Sequence, residues 1–206
     1  MKFILLGPPS SGKDTQAEKI KKKFDIPHIS SGNILRDEVS RKTDLGVQIK
    51  PFIDRREIGP EEQITDFLLN HIDKNCSSGF ILDGFPRTLY QAQRLDEKYS
   101  IVATILLEVP DEEIIKRITS RRICNNCNKT YHIKLNPPKR TNICDHCGMK
   151  LIRRADDNAR AVKKRLKGYY RETQPVIDFY QGKKVLHRID GRGNPASIFS
   201  EILSLV

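Results

Sequence analysis

The chain has 206 residues, a length at which one domain with a small insertion can bury roughly 70% of the surface of the unfolded chain. Hydrophobic residues make up 37% and charged residues 31%, and no apolar run approaches the roughly 20 residues of a helix that spans a bilayer. The net charge of +11 is concentrated in residues 121–160, which hold ten Lys and Arg against three Asp and Glu. A concentrated positive charge indicates a phosphate-bearing partner, either nucleic acid or nucleotide.

Strand and helix patterns alternate along most of the chain. Short apolar runs predict strands at residues 2–6, 26–30, 79–83, 102–109 and 184–189. Apolar spacing and end signals predict helices at residues 12–24, 32–42, 46–57, 61–75, 88–98, 111–121, 156–181 and 194–205. This alternation predicts an α/β fold, a parallel sheet with helices on both faces. Residues 122–155 lose the periodicity and are predicted to be an insertion.

The first strand leads into the stretch GPPSSGKDTQ, which is close to a phosphate-binding loop, G-x-x-x-x-G-K-[ST]. Gly7, Gly12 and Lys13 have the required spacing, but Asp14 follows the lysine and the hydroxyl comes one position later, at Thr15. In such loops, backbone N–H groups and the start of the next helix converge on an anion. The stretch therefore predicts a nucleotide site of the P-loop NTPase-like class. We expect the Asp14 side chain to point away from the phosphates, because a carboxylate beside them would repel them.

An acidic residue, Asp83, ends the buried strand GFILD. A carboxylate at this place commonly holds Mg²⁺ or its waters beside nucleotide phosphates. The alternative is an acid at the surface end of a strand.

No signal-peptide pattern precedes the first strand, since the apolar start FILL is only four residues long. We therefore expect the protein to be in the cytoplasm.

Four of the five cysteines lie in the insertion, as Cys124-x2-Cys127 and Cys144-x2-Cys147 with sixteen residues between the pairs. This spacing is typical of a structural Cys₄ zinc site, which leaves no open coordination position. Disulfides are the alternative, but they require an oxidising compartment. We interpret the remaining thiol, Cys76, as an inert core or helix-end residue, and the two nearby histidines as surface residues: His132 and His146.

Several motifs together resemble the adenylate kinases, in the long form with a zinc-bearing lid, over nearly the whole chain. They are GPPSSGKDTQA, SSGNILR at 30–36, LDGFPRT at 82–88 with Gln91, RR at 121–122, RRADD at 153–157, Arg165 and DGRGNP at 190–195. The resemblance implies transfer of a phosphoryl group from ATP to AMP, giving ADP, with Mg²⁺ accompanying ATP and Zn²⁺ in the lid. It also implies a core of residues 1–121 and 156–206, an AMP-binding helical region at 30–59 and a lid at 122–155.

The resemblance further implies roles for individual residues. ATP would contact Ser10, Ser11, Gly12, Lys13, Asp14, Thr15, Arg121, Thr130, Tyr131 and Gly193. AMP would contact Ser31, Arg36, Glu57, Ile58, Gly59, Gly84, Phe85, Pro86, Arg87, Gln91, Arg154 and Arg165. Catalysis would rest on Lys13, Arg87, Arg121, Arg154 and Arg165. Zinc would be bound by Cys124, Cys127, Cys144 and Cys147, Asp83 would hold Mg²⁺ through water, and Asp156 and Asp157 would latch the closed lid.

The chain departs from the family pattern at a few positions. Ser10 and Asp14 stand where glycine is usual, so the late Thr15 is in the family's register. Ser31 replaces threonine, Asn33 replaces a frequent aspartate and Gly59 a frequent valine.

Two other functions remain open at this point. A kinase for UMP or CMP is one, although those relatives generally have a short lid without zinc. A zinc-ribbon nucleic-acid-binding protein with an ATPase-like loop is the other, but its basic stretch offers one aromatic, Tyr131, as a stacking platform. We expect a monomer that binds neither nucleic acid nor membrane.

Overall fold

The computed structural model describes residues 1–55, 59–134, 136–154 and 157–205. The strands are β1 (Lys2–Leu6), β2 (His28–Ser30), β3 (Phe80–Asp83), β4 (Ala103–Glu108), β5 (Arg121–Cys124), β6 (Thr130–His132), β7 (Leu151–Ile152) and β8 (Leu186–Asp190). The helices are α1 (Lys13–Phe24), α2 (Ser31–Arg41), α3 (Asp44–Arg55), α4 (Glu61–Asn75), α5 (Leu89–Asp96), α6 (Asp111–Thr119), α7 (Ala159–Gly182) and α8 (Pro195–Leu203). No helix among the described residues is both long enough and apolar enough to cross a membrane.

A five-stranded parallel sheet in the order β2-β3-β1-β4-β8 forms the centre of the molecule. Successive side chains of a strand face opposite sides, and β1 is apolar on both. Ile4 and Leu6 pack in a core with residues of α4, α5 and α7, whereas Phe3 and Leu5 pack in a second core with residues of α1 and α8. The predicted parallel sheet with helices on both faces is confirmed.

The strand order places the ends of β1 and β3 at a crevice. The chain runs from β1 outward to β2 and β3 and then crosses to β4 on the other side of β1. In open parallel sheets, ligands bind beyond the carboxyl ends of the strands at such a switch point. Leu5 of β1 is aligned with Asp83 of β3, so the phosphate loop and the predicted Mg²⁺ acid leave the sheet side by side.

The insertion is more ordered than its sequence suggests. Residues 122–155 were expected to lack regular structure, but β5, β6 and β7 form a small antiparallel sheet in the order β6-β5-β7. The prediction missed these strands because they are two to four residues long, too short to show an alternating pattern. The strands bring the two cysteine pairs together.

Candidate functional site

The phosphate loop connects β1 to α1 in a conformation that depends on glycine. Gly7 has φ 141° and Gly12 has φ 105°, a region that L side chains rarely adopt. A Cβ atom on Gly7 would also lie 2.7 Å from the Leu107 backbone oxygen and 2.7 Å from Ser11 Oγ. The loop is therefore packed against β4, and α1 begins directly after it with its N-terminus at the crevice.

Lys13 lies at the centre of the crevice. Its Nζ atom donates hydrogen bonds of 2.9 Å to the backbone oxygens of Gly7 and Pro8. Burial is the main cause that lowers the pKa of Lys13. The negative charges of Asp83 and Asp14 raise this pKa, whereas the positive charges of Arg87 and Arg165 lower it further. The structure thus brings together residues from α1, β3, the loop after β3 and α7 within electrostatic range of this ammonium group.

Asp83, at the end of β3, is buried. Burial is the largest cause of a pKa that rises to about 7; the Asp14 carboxylate contributes, while Lys13 and Arg87 oppose the rise. A carboxylate in this position would gain from a bound cation, because the cation would offset the loss of hydration. Asp83 therefore fits the predicted role of holding Mg²⁺ or its waters.

The Asp14 side chain is not oriented as expected. We expected it to point away from the site, and this is wrong: its carboxylate lies within 4.8 Å of that of Asp83 and close enough to raise the pKa of Asp83. A ring nitrogen of His28, on β2, completes a group of three potential metal ligands. The acid in the loop thus faces the end of β3, where it adds negative charge.

The other ATP-site residues of the loop differ in exposure. Ser11 is buried, and its hydroxyl has no hydrogen-bond partner among the residues that the structure describes. Ser10 adopts a positive φ of 61°, which explains how glycine could occupy the same position in relatives. Thr15 is exposed on the first turn of α1. Gly193 is exposed ahead of α8, and a Cβ atom there would only touch Ile198.

Arg121 connects the start of the lid to the phosphate loop. Its Nε and Nη2 atoms donate to the two carboxylate oxygens of Asp157 at 3.1 and 2.5 Å, and its Nη1 atom donates to Ser10 Oγ at 3.3 Å. Asp157 is fully buried, so the pair holds the guanidinium group in a fixed orientation. Arg117 donates to the Ser11 backbone oxygen at 3.4 Å, which makes it a cation at the loop that the motifs did not indicate.

A second group of predicted residues surrounds the loop after β3. Ser31 Oγ donates to the Asp83 backbone oxygen at 3.3 Å. Arg87 donates from Nε to the Gly84 backbone oxygen at 2.9 Å, and its own backbone N–H donates to Gln91 Oε1 at 2.8 Å. Gly84 has φ 76°, and a Cβ atom there would lie 2.8 Å from Ser31 Oγ, so this loop passes α2 closely. Gln91 orients the Arg87 backbone through this bond.

Phe85 and Pro86 of the DGFPRT motif follow Gly84 in the loop after β3. The Phe85 side chain is buried in the core between the sheet and α4, α5 and α7, so it presents no side-chain group to a nucleotide. The Phe85–Pro86 peptide bond is cis. We therefore expect any contact of Phe85 with AMP to come from its backbone.

Among the remaining predicted AMP residues, Arg36 lies on α2, Gly59 ahead of α4 and Arg154 at the lid junction. Arg36 donates from Nη2 to Asn33 Oδ1 at 2.5 Å. A Cβ atom on Gly59 would lie 2.9 Å from the Ile64 side chain, so the valine usual in relatives would need a shift here. Arg154 is half-buried at the lid junction. Three predicted residues lie outside the described residues: Glu57, Ile58 and Asp156.

The four lid cysteines form a compact cluster. The Sγ–Sγ distances are 3.3 Å for Cys124 and Cys147, 3.5 Å for Cys127 and Cys144, and 3.6 Å for Cys127 and Cys147. A disulfide would need about 2.05 Å. Tetrahedral Zn²⁺ with bonds of about 2.3 Å separates its sulfurs by about 3.8 Å, close to these values. The residues therefore fit a Cys₄ zinc site, and all these thiols are unbridged.

Each cysteine pair stands on the same type of turn. Asn128 donates its backbone N–H to the Cys124 oxygen at 2.9 Å, and Gly148 does the same to the Cys144 oxygen at 2.9 Å. Asn128 and Gly148 have φ values of 58° and 71°, the left-handed conformation that Asn and Gly tolerate best. The repeated turn presents two thiols from each pair to one point.

Tyr131 belongs to the zinc cluster. Its ring is buried among Cys124, Cys144 and Leu151, and its hydroxyl accepts a hydrogen bond from the Asp145 backbone N–H at 2.8 Å and lies 3.5 Å from Cys144 Sγ. Burial opposes ionisation of Cys144, but the Tyr131 hydroxyl and backbone N–H groups lower the Cys144 pKa to about 6. Because the Tyr131 side chain is buried, we expect any contact of Tyr131 with ATP to come from its backbone, whereas its neighbour Thr130 is exposed.

Two residues at the site carried no sequence signal. His28 lies on the three-residue strand β2 with no motif around the ring, and Arg117 lies in an ordinary helical pattern on α6. Lysine and arginine are frequent on this chain, so a single further arginine could not be distinguished from a surface residue.

The parallel sheet, the phosphate loop with Lys13 and the arginines at its edge define a P-loop phosphotransferase that acts on nucleotides. The family model for adenylate kinase matches residues 5–185. The adenylate kinase of Lachnospira eligens is 44% identical over the full length of both chains, and that of Caldanaerobacter subterraneus is 45% identical over 98% of this chain and 94% of its own. One from Clostridium perfringens is 42% identical over 100% of this chain and 98% of its own. The chain belongs to the adenylate kinase family, and it is a nucleoside monophosphate kinase.

Proposed function

We propose that the chain carries out the reversible transfer of a phosphoryl group from ATP to AMP, which converts both nucleotides to ADP. The reaction balances the concentrations of the adenine nucleotides. The observation that carries this proposal is the convergence of Lys13, Arg87 and Arg165 with Asp83 at the switch point of a parallel sheet. A transferring phosphoryl group needs positioning and charge stabilisation more than covalent chemistry from the protein. A buried lysine flanked by arginines supplies both.

The two nucleotides would occupy opposite sides of the Asp83 loop. The phosphates of ATP would lie against the N-terminus of α1, with Lys13 at the terminal phosphate and Arg121 approaching from the lid. AMP would lie against the α2 side, where Ser31 and Arg87 meet at Gly84 in the loop after β3 and Arg36 follows further along α2. Arginine suits this task because its planar fork binds two phosphate oxygens at once.

Arg154 and Arg165 would approach the transferring group from the lid junction and α7. Closing these cations over the phosphates would also exclude water, which would otherwise accept the phosphoryl group. Asp157 would keep Arg121 pointing at the loop. Bound Mg²⁺ would neutralise the phosphate charge, and Asp83 would hold one of the waters around it.

We also propose that Zn²⁺ in the lid is structural, because four cysteine thiolates fill its coordination sphere. The lid would comprise residues 122–155, and residues 1–121 and 156–206 the core. Zinc thiolates and an unbridged Cys76 suit a reducing compartment, so we place the protein in the cytoplasm. We also propose that it is a monomer.

A coupled assay with ATP as donor and AMP, UMP, CMP or GMP as acceptor tests this function. We expect kcat/KM to be highest for AMP by at least about 100-fold, which corresponds to about 2.7 kcal/mol. Equal or faster turnover of UMP or CMP would overturn the choice of substrate. Salt-sensitive oligonucleotide binding without any nucleotide turnover would instead support the nucleic-acid alternative.

A further inference from the structure

Three side chains of the kinds that bind metals meet beneath the first turn of α1. Asp14 belongs to this turn, His28 begins β2 and Asp83 ends β3. One carboxylate oxygen of each aspartate and one ring nitrogen of His28 all lie within 4.8 Å of one another. The combination depends on Asp14, which stands where a glycine would leave only a histidine and one acid.

The histidine supplies an independent indication of a ligand. Its side chain is 9% exposed, and Nδ1 lies 3.4 Å from Glu18 Oε1, one turn beyond Asp14 on α1. Nε2 is buried and has no hydrogen-bond partner within the part of the chain that the structure describes. A buried polar atom without a partner costs free energy comparable to a lost hydrogen bond. A nitrogen lone pair in this position is suited to a metal ion.

The charges around the cluster also favour a cation. The exposed carboxylate of Asp14 lies close to the buried carboxylate of Asp83, and the two negative charges repel each other although Lys13 and Arg87 lie near. A divalent ion between the carboxylates would remove their repulsion. It would also replace the hydration that Asp83 loses on burial.

The distances allow direct coordination. Metal–oxygen and metal–nitrogen bonds of about 2.0–2.2 Å place neighbouring ligand atoms about 3.0–3.5 Å apart, so rotation of the exposed Asp14 side chain can bring the three atoms onto one ion. One imidazole and two carboxylates suit Mn²⁺, Co²⁺ or Zn²⁺, whereas Mg²⁺ prefers oxygen ligands alone and retains its waters.

We propose that Asp14, His28 and Asp83 form a second metal site, which binds a divalent transition-metal ion directly in the absence of nucleotide. The site is separate from the lid zinc and differs from a water-mediated Mg²⁺ contact, because the ion is held by protein nitrogen and oxygen atoms. Three protein ligands leave positions open for water or for a phosphate oxygen of an arriving nucleotide. The proposal does not depend on the proposed reaction, since the ion binds before any nucleotide does.

Binding of Mn²⁺ to nucleotide-free protein that carries one Zn²⁺ per chain, in the cysteine cluster, tests the site. The electron paramagnetic resonance signal of free Mn²⁺ should fall as about one ion per chain binds, and Mg²⁺ should compete at least about tenfold less well. Zinc stays on the lid thiolates, which select it over Mn²⁺. Electron spin echo modulation should show a coupled nitrogen that disappears in His28→Gln.

Asp14→Gly and Asp25→Asn form a matched pair of variants. Asp14→Gly should weaken Mn²⁺ binding at least about tenfold, because it removes one of three ligands. Asp25→Asn removes the same charge from the exposed end of the same helix, at a φ of 51° that Asn tolerates, and should bind as the unmodified protein does.

Unchanged Mn²⁺ affinity in Asp14→Gly, or no nitrogen coupling in the unmodified protein, would overturn the site. If Asp14→Gly proves unstable by thermal unfolding, Asp14→Asn and the nitrogen signal decide the question. AMP phosphorylation with Mg²⁺ is measured on the same samples. Its failure would count against the proposed function alone.

Discussion

The central sheet and the lid are stabilised in different ways. The sheet is covered on both faces by apolar clusters in which the four apolar side chains of β1 are almost completely buried. The buried cluster of the lid contains four residues, and two of them are cysteines of the proposed zinc site. The four are Cys124, Tyr131, Cys144 and Leu151. The core can therefore fold by excluding water, whereas the lid lacks the apolar area for this.

This difference suits the two tasks. The sheet holds the phosphate loop and Asp83 in fixed positions, as a site for charge stabilisation requires. Under the proposed function the lid, residues 122–155, would bring its basic surface over the phosphates beside Arg121, and a four-thiolate metal site would supply rigidity without a large core. Changes in the core should thus affect chemistry or global stability, and changes in the zinc cluster should affect the lid first.

The largest effect is expected from Lys13→Ala, which removes the central cation of the core site. We expect kcat to fall at least about 1000-fold, because no other described ammonium group contacts the loop oxygens of Gly7 and Pro8. Lys22→Ala removes an exposed lysine of the same helix and serves as the control, with unchanged kcat. Near-normal turnover of Lys13→Ala with an unchanged thermal midpoint would contradict the phosphate-loop assignment.

The second effect is expected from Cys144→Ser, which opens the zinc cluster. Metal analysis should show about one Zn²⁺ per chain in the unmodified protein and a large loss in the variant, since a structural site depends on all four thiolates. The midpoint for loss of activity on heating should fall more than the activity measured at low temperature. Cys76→Ser, outside the cluster, should retain the zinc. Full zinc content in Cys144→Ser would refute the site.

The order of strands and helices could be predicted because each element of the core repeats its pattern over several residues. Helix α4 was predicted with the observed bounds, Glu61–Asn75, since apolar residues recur on one face between a proline and a cysteine. The small lid sheet could not be predicted in this way. Its turns are built from cysteines and from left-handed residues such as Asn128 and Gly148, which leave no apolar period.

The site shows a similar division. The motifs predicted residues that the structure brings together at the phosphate loop, because the backbone of such a loop fixes their positions. They did not predict where the Asp14 side chain points, since this depends on the space between α1, β2 and β3 and on the charges there. His28 was missed for the same reason. The apolar pattern of a strand indicates that a residue belongs to β2, but the proximity of the His28 ring to Asp14 and Asp83 arises only when the chain folds.

The smallest effect is expected at the contact that joins the two regions. Asp157→Asn keeps the shape of the side chain but removes the charge that holds Arg121 against the phosphate loop. We expect kcat/KM for ATP to fall about tenfold, which is about 1.4 kcal/mol, near the lower limit for a hydrogen bond to a charged group. Steady-state kinetics at varied ATP would measure it.

The control for this contact is Asp73→Asn, which removes the charge of an ion pair with Lys98 on the surface. Exposed pairs contribute little, so kcat/KM should not change. Equal kinetics of Asp157→Asn and the unmodified protein would mean that Arg121 is positioned by Ser10 and the phosphates alone. A fall in kcat/KM with intact zinc content would show that the lid transmits its effect through the orientation of Arg121, because the zinc cluster itself would be unchanged.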